Sequence, residues 1–320
     1  MAIKCNIITD SPCDLSHDYC AENNVRVIHF SYTEMVKEDD KGKSREPLCG
    51  VDDMFYETDS HEFYKAIKDG ACPMTSQPSQ GEMEILFREI IATGVPTVYL
   101  CFSSGISGCY NGALAVLDRL KEEMGEDLPL YIVDLKMGST PQSLFVAEAV
   151  RQRDRGLTAE ELVRWADEAK WFVHTVFMVD DLQALKRGGR IPSGVAMAGS
   201  LLDVKPLLTF DLDGRLAMLG VCRGRKKAMR KMARIYEKEH AAASYGPVCA
   251  TGNADCEKDM RKFQDMIRKD DETVVFMETT IGPTIGCHVG PGMLSCCFWG
   301  SDRRDDKSVA DKIADDTRSE

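Results

Sequence analysis

The feature that most narrows the folds open to this chain is the regular exchange of short apolar runs for amphipathic stretches across its first half. Cys5-Asn-Ile-Ile-Thr9, Val25 to Tyr32, Thr97 to Phe102 and Leu130 to Asp134 read as buried strands, being short and rich in β-branched and aromatic residues. Helical stretches lie between them. Gly81 to Ile91 places apolar residues three and four apart, and Ser79-Gln-Gly-Glu82 has the spacing of a capping box, in which serine and glutamate satisfy each other's free amides. Strands alternating with helices predict an α/β domain built on a parallel, doubly wound sheet, with binding sites at the carboxyl ends of its strands.

The second half has another grain. Trp171 to Val179 is strand-like and leads into a short helix that ends at Gly188-Gly189. Val204 to Phe210 and Arg215 to Val221 flank Asp211-Leu-Asp-Gly214, a hairpin signal. Helices near 223–242 and 254–269 and strands near 273–279 and 293–299 complete an α+β domain. The boundary is expected near residue 165, giving an N-terminal domain over 1–165 and a C-terminal one over 166–300. Residues 301–320 carry seven acidic and five basic side chains and almost no large apolar ones, and are expected to be a disordered tail.

With 43% hydrophobic and 29% charged residues among 320, the composition is that of a folded protein. The richest short apolar run, Val98-Tyr-Leu-Cys-Phe102, falls far short of the roughly 18 residues of a bilayer-spanning helix. Met1-Ala-Ile-Lys leads straight into a strand with no signal-peptide pattern, so a cytoplasmic protein without stable membrane insertion is expected. A net charge of −12 opposes general binding to nucleic acid or anionic lipid. Against that trend, Arg223 to Lys238 holds eight basic residues and one acidic. It suits an acidic protein surface, a phosphorylated group or a solvated helix face, and nucleic acid is the least favoured partner because only Tyr236 interleaves with it and the motifs of nucleic-acid readers are missing. Thirteen cysteines with no CxxC read as buried thiols in a reducing compartment rather than disulfides or a zinc site.

Four segments carry possible chemistry. In Cys101-Phe-Ser103-Ser104-Gly105-Ile-Ser107-Gly108 a strand stops at a turn before a helix, where free amides and the hydroxyls of Ser103 or Ser104 favour an anion. Ser107 reads equally as a helix cap. A second hydroxyl cluster, Thr75-Ser76-Gln77-Pro78-Ser79, precedes the capped helix. Asp10-Ser11-Pro-Cys-Asp14 follows the first strand, where Ser11 or Asp14 serves either a site or a helix cap. The glycine- and proline-rich stretch Ile281 to Gly292 surrounds His288 and suits close backbone approach, its histidine being either packed or an anion donor. No metal-binding partner spacing accompanies that histidine. Neither GxxxxGK[ST], a GxGxxG after a strand, nor GxSxG occurs, so nucleotide binding and a nucleophile elbow have no support, and no cofactor is expected.

Taken in order and spacing, the chain resembles the DegV family of bacterial fatty-acid-binding proteins. The matching pieces are Ile7 to Leu15, Thr75 to Ser79, Ser103 to Gly108 with Tyr110, Gly188-Gly-Arg-Ile191, Leu202-Asp-Val-Lys-Pro206 with Asp213-Gly214, and Ile281 to Gly292. The resemblance implies a two-domain fold with a long-chain fatty acid in a tunnel between the domains. Its carboxylate would be held by Thr75 and Ser104 with His288 beside them, and Ser76, Ser103, Gly105 and Gly286 would be secondary. Arg190 and Arg223 match arginines linked to phosphoryl transfer or partner docking. The implied role is presentation of the carboxylate to a separate fatty acid kinase subunit that binds the ATP and makes acyl phosphate for phospholipid synthesis. The chain itself would then be a lipid-binding subunit, monomeric or weakly dimeric, and not an enzyme. The competing reading is a stand-alone acyl or phosphoryl hydrolase or transferase with Ser104 as nucleophile and His288 as base. Leu135, Pro141 and Ser143 stand where the family has small residues, and proline cannot take a glycine's positive φ. Cys109 and Cys287 replace common hydroxyl residues, and Met293, Cys296 and Cys297 read as tunnel lining or as core.

Overall fold

In the computed structural model, which describes residues 3–35, 46–180, 182–191, 203–240 and 246–305, the strand-helix alternation of the first half becomes a four-stranded sheet. β1 (Asn6–Asp10) leads through α1 (His17–Glu22) to β2 (Val25–Ile28), and the expected strand over 25–32 then splits, because β3 (Ser31–Thr33) joins a different sheet. The break sits at Phe30, whose amide donates to Ser11 Oγ and whose carbonyl accepts from Asp52, both outside either ladder. β3 pairs antiparallel with β4 (Gly50–Val51) and, beyond α2 (Ser60–Lys68), with β5 (Met74–Ser76). The small three-stranded sheet so formed was not legible in the sequence.

α3 (Gln80–Thr93) starts at the Ser79 and Glu82 capping box, with both reciprocal bonds made. β6 (Thr97–Cys101), α4 (Cys109–Met124), β7 (Leu130–Asp134), α5 (Thr140–Asp154) and α6 (Ala159–Ala169) follow. All pairings in the order β2-β1-β6-β7 are parallel, and the reversal of order lies between β1 and β6.

The chain enters the second sheet at β8 (Val173–Met178). After α7 (Gln183–Arg187), β9 (Val204–Phe210) and β10 (Leu216–Arg223) form the expected antiparallel hairpin, with Gly214 at φ 76° in its turn. α8 (Arg225–Glu239), β11 (Val248–Asn253), α9 (Glu257–Arg268), β12 (Val275–Thr280), α10 (Pro283–Val289) and β13 (Leu294–Trp299) complete it. The strand order is β10-β9-β8-β13-β11-β12, with β11 and β12 the parallel pair, so this half is α+β.

α5 lies between the two sheets and is buried on nearly every side, from Thr140 through Val150. One apolar cluster runs from Ile7, Val98 and Leu100 of the first sheet, through Phe145, Val146 and Ala149 of α5, to Val173, Ala250, Cys297 and Trp299 of the second. Polar side chains go inside with it and are paired there: Gln142 donates to Thr9 Oγ1 and the Leu100 carbonyl, and Ser143 to the Thr140 carbonyl, so the helix shows no separate polar face. Pro141 stands in its first turn, where a missing amide costs nothing, and the positive φ values nearby fall on Lys136 and Ser139 instead. The departure at Pro141 is thus accommodated without asking proline for a glycine's conformation.

All thirteen cysteines are free; Cys49 and Cys72 are exposed, contrary to the expectation of buried thiols, because both lie in segments bordering the small sheet. Of the tail, residues 301–305 are described: Arg303 donates to the carbonyls of Val173 and Phe210, and Arg304 pairs with Glu168 and Asp302. The rest of the expected tail lies outside the described residues. No described helix is long and apolar enough to cross a membrane.

Candidate functional site

The loops after β6 and β7, at the carboxyl ends of these strands, supply Phe102, Ile106, Ser107, Gly138 and Ser139 to one wall of a cavity, with Pro141 from the first turn of α5. The facing wall comes from the second sheet and its helices: Thr175 and Phe177 of β8, Leu185 of α7, Phe210 and Leu216 around the hairpin, and Thr284, Ile285, His288 and Val289 of α10. The cavity holds about 640 Å³ of space free of protein atoms, its opening included, and its wall is mostly apolar.

Three of its polar side chains, Thr75, Arg190 and His288, form one cluster. His288 Nε2 lies 2.8 Å from Thr75 Oγ1, joining α10 to β5. The ring fits because Gly188 has no side chain; a Cβ there would come within 2.3 Å of His288 Nδ1. Arg190 donates through Nε to the Ile106 carbonyl at 3.2 Å and through Nη1 to the Gly188 carbonyl, and no described carboxylate pairs with it. Part of the imidazole surface stays open, yet protein atoms surround it densely. That burial, with the nearby Arg190 charge, brings the His288 pKa down to about 4, so the ring is neutral at pH 7. Burial likewise lowers the Arg190 pKa. The cluster is a half-buried cation, a neutral imidazole and a hydroxyl facing one apolar space, which suits a single anionic head on a hydrocarbon body.

Buried carboxyls hold the walls together. Asp14 accepts from Ser139 Oγ and from the Gly282 amide at 2.8 Å, while Asp52 accepts from the Thr284 amide at 3.1 Å. Burial raises Asp14 to about 7 and pushes Asp52 upward too. The Thr284 hydroxyl is near enough to ease the rise of Asp52 yet lies outside hydrogen-bond geometry. Asp10 accepts from Tyr99 Oη and the Phe102 amide and is raised to about 6 by burial. Cys101 and Cys109 lie within 4.8 Å of its ligand atom, all three wholly buried. The fold keeps these acids protonated more readily than an unfolded chain does. Their stabilising contribution is therefore full below pH 4 and is lost as pH rises through 6 to 7.

Comparison with known proteins settles the kinship. The profile of the family described as "Uncharacterised protein, DegV family" matches residues 4–300. The chain belongs to the DegV family. A DegV domain-containing protein of Streptococcus pyogenes serotype M3 is 31% identical over 304 residues, which are 93% of this chain and 99% of its own. The structure of DegV from Bacillus subtilis, described as a fatty acid binding protein, matches at a TM-score of 0.75 and 27% identity, over 94% of this chain and 100% of that one. TM841 from Thermotoga maritima, whose structure is described as revealing a fatty acid binding function, matches at 0.72 and 25% identity, over 93% and 100%.

In this DegV-family chain the residues singled out in the sequence part company. Thr75, His288 and Arg190 come together on the cavity, whereas Ser104 does not line it. The Ser104 amide donates to Asp134 and its hydroxyl accepts from Lys136 Nζ at 2.9 Å, so the turn holds its own serine. Ser107 lines the cavity instead and accepts from the Cys109 amide, while Gly108, not Ser107, is the N-cap of α4. Ser104 and His288 share no hydrogen bond, so the nucleophile-base pair of the hydrolase reading is not assembled. Ser103 and Gly105 dock the hairpin: Ser103 Oγ donates to the Gly214 carbonyl at 2.8 Å, and a Cβ on Gly105 would meet Gly214 backbone. Ser76 is exposed in β5, Gly286 packs on Phe63 and Tyr64, and Arg223 is exposed at the end of edge strand β10. Ser16, rather than Ser11 or Asp14, caps α1. Met293 lines the cavity, but Cys296 and Cys297 are core, and neither Cys109 nor Cys287 reaches the wall. The aromatic wall of Phe30, Phe102, Phe177 and Phe210 had no signal in the sequence beyond apolarity.

Proposed function

We propose that this protein binds a long-chain fatty acid in the cavity between its sheets, with the carboxylate at Thr75, His288 and Arg190. The observation that carries the reading is an apolar cavity in which Arg190, with no carboxylate partner among the described residues, sits beside a neutral His288 and Thr75. The fatty-acid binding described for the Bacillus subtilis and Thermotoga maritima relatives supports it. A chain of about fifteen methylenes at roughly 0.8 kcal/mol each offers about 12 kcal/mol of gross burial. Each hydrogen bond to the charged head adds about 1.5 to 3 kcal/mol. The tail sets affinity and the head sets register. With a carboxylate present, Thr75 turns its proton outward and the imidazole donates from Nε2 to the threonine oxygen, so the pair acts as a relay of donors. The carboxylate is then available for phosphorylation by a separate kinase that carries the ATP, with Arg190 at the head group and the exposed Arg223 and basic face of α8 as the side that meets it.

Lipid extracted after denaturation and read by mass spectrometry is expected to contain an acyl chain stoichiometric with protein. Absence of any such lipid, together with no uptake of hexadecanoate by delipidated protein, removes the reading.

Proton linkage gives a second expected result. In the ligand-free fold His288 titrates near 4 against an ordinary 6.5, so its stabilising contribution is present above 6.5 and lost as pH falls through 4. A carboxylate set against the ring raises that value, so binding takes up protons. Hexadecanoate affinity is expected to tighten as pH falls from 7 towards 5, by no more than about tenfold per unit for one proton. Titration calorimetry should show that slope flattened in His288→Gln; an unchanged slope would exclude the histidine as its source.

A further inference from the structure

We propose that the cavity is adapted to fatty acids bearing a hydroxyl a few carbons from the carboxylate, held between Ser139 and Thr284; this rests on the fatty-acid reading above. Thr284 is 3% exposed, lines the cavity, and its Oγ1 has no hydrogen-bond partner among the described residues. A plain methylene chain against that hydroxyl leaves it unsatisfied in an apolar space, which proteins avoid. An oxygen on the ligand satisfies it.

Ser139 comes to the same cavity from the other half of the molecule. It is 6% exposed and adopts φ 66° and ψ −146°, a conformation suited to glycine, yet the position carries a hydroxyl. Its hydroxyl donates to Asp14, and Asp14 also accepts from the Gly282 amide. Asp52 in turn accepts from the Thr284 amide. The two carboxyls approach each other around Gly282, whose Cβ position would lie 3.3 Å from Asp14 Oδ1 and 3.5 Å from Asp52 Oδ1. Both hydroxyl-bearing residues are therefore anchored to one buried frame.

The donor and acceptor pattern selects the ligand group. While Asp14 is ionised, Ser139 gives its proton to that carboxylate and can only accept from a ligand. Thr284 Oγ1, near the Asp52 carboxyl but in no hydrogen bond among the described residues, can donate. A ligand hydroxyl gives to the first and receives from the second, an oxo group can only receive, and a methylene does neither. Position along the chain follows from α10. Thr284 and His288 are four residues apart, hence on one face and about 5–6 Å from each other. The hydroxyl accordingly belongs near the carboxyl end, not at the far methyl.

Delipidated full chain is offered equimolar hexadecanoate and one competitor at a time, and the bound acids are read by native mass spectrometry. The competitors are hexadecanoates hydroxylated at the third, fourth or fifth carbon, and one hydroxylated at the terminal carbon. One of the near-carboxyl isomers is expected to outcompete hexadecanoate by about tenfold, the worth of one well-made hydrogen bond, and the terminal isomer is expected to lose to it. Thr284→Val is expected to collapse that ratio and Thr284→Ser to keep it. The proposal is overturned if hexadecanoate is retained as well as every near-carboxyl isomer, or if Thr284→Val keeps the preference; the native chain alone decides the first of these. Binding of hexadecanoate without preference defeats only this inference. No binding of any acid defeats the fatty-acid reading with it.

Discussion

Gly105→Ala is expected to lower stability by about 3 kcal/mol, at the upper end for overpacking a tight contact, and to lower the urea midpoint accordingly. A Cβ at this position would lie 2.4 Å from the Gly214 carbonyl carbon, 2.5 Å from its oxygen and 2.6 Å from the Asp213 oxygen. These are backbone atoms and cannot rotate aside. Relief requires the β9-β10 turn to lift from the Ser103-Ser104-Gly105 turn, which breaks the bond from Ser103 Oγ to the Gly214 carbonyl. Phe210 and Leu216, cavity-lining residues on either side of that turn, would shift with it. Gly81→Ala serves as the contrast. Gly81 lies in α3 with its nearest neighbour 3.9 Å from a Cβ position, so alanine should add about 0.5 to 1 kcal/mol through helix propensity alone. Equal midpoints for the two variants would show that the close approach of the turns is not what joins these halves.

The second large effect concerns the head group. Arg190→Gln is expected to weaken hexadecanoate binding by about ten- to hundredfold, from the loss of a charge-assisted hydrogen bond of about 1.5 to 3 kcal/mol. Hexadecanol, which offers the same hydrocarbon and no charge, should lose much less. The contrast matters because Arg190 also holds the Ile106 and Gly188 carbonyls, and Gly188 supports the His288 ring. A parallel loss for acid and alcohol would mean that Arg190 serves wall geometry and not the carboxylate.

What could be read ahead of the fold was whatever is local in the chain. The four strands of the parallel sheet, the Ser79 and Glu82 box and the Gly214 hairpin depend on neighbours a few residues away, and the periodicity of the sequence records them. The split between β2 and β3 was hidden because Phe30 is as apolar as its neighbours, and only Ser11 and Asp52 divert it. Of the site, Thr75, His288 and Arg190 stood out through their motifs and do meet in space. Ser104 stood out equally but lies off the cavity wall, and nothing in its own segment indicates that Lys136 takes its hydroxyl. The frame of Asp14 and Asp52 joins residues more than two hundred positions apart, a relation that no spacing rule encodes.

α5 also bears on how an occupant is admitted. Because Phe145, Val146 and Ala149 belong to one apolar interior together with both sheets, swinging the halves apart like a clamshell would wet that entire seam. Any route into the chamber that leaves this seam dry must therefore run through the loops around its mouth.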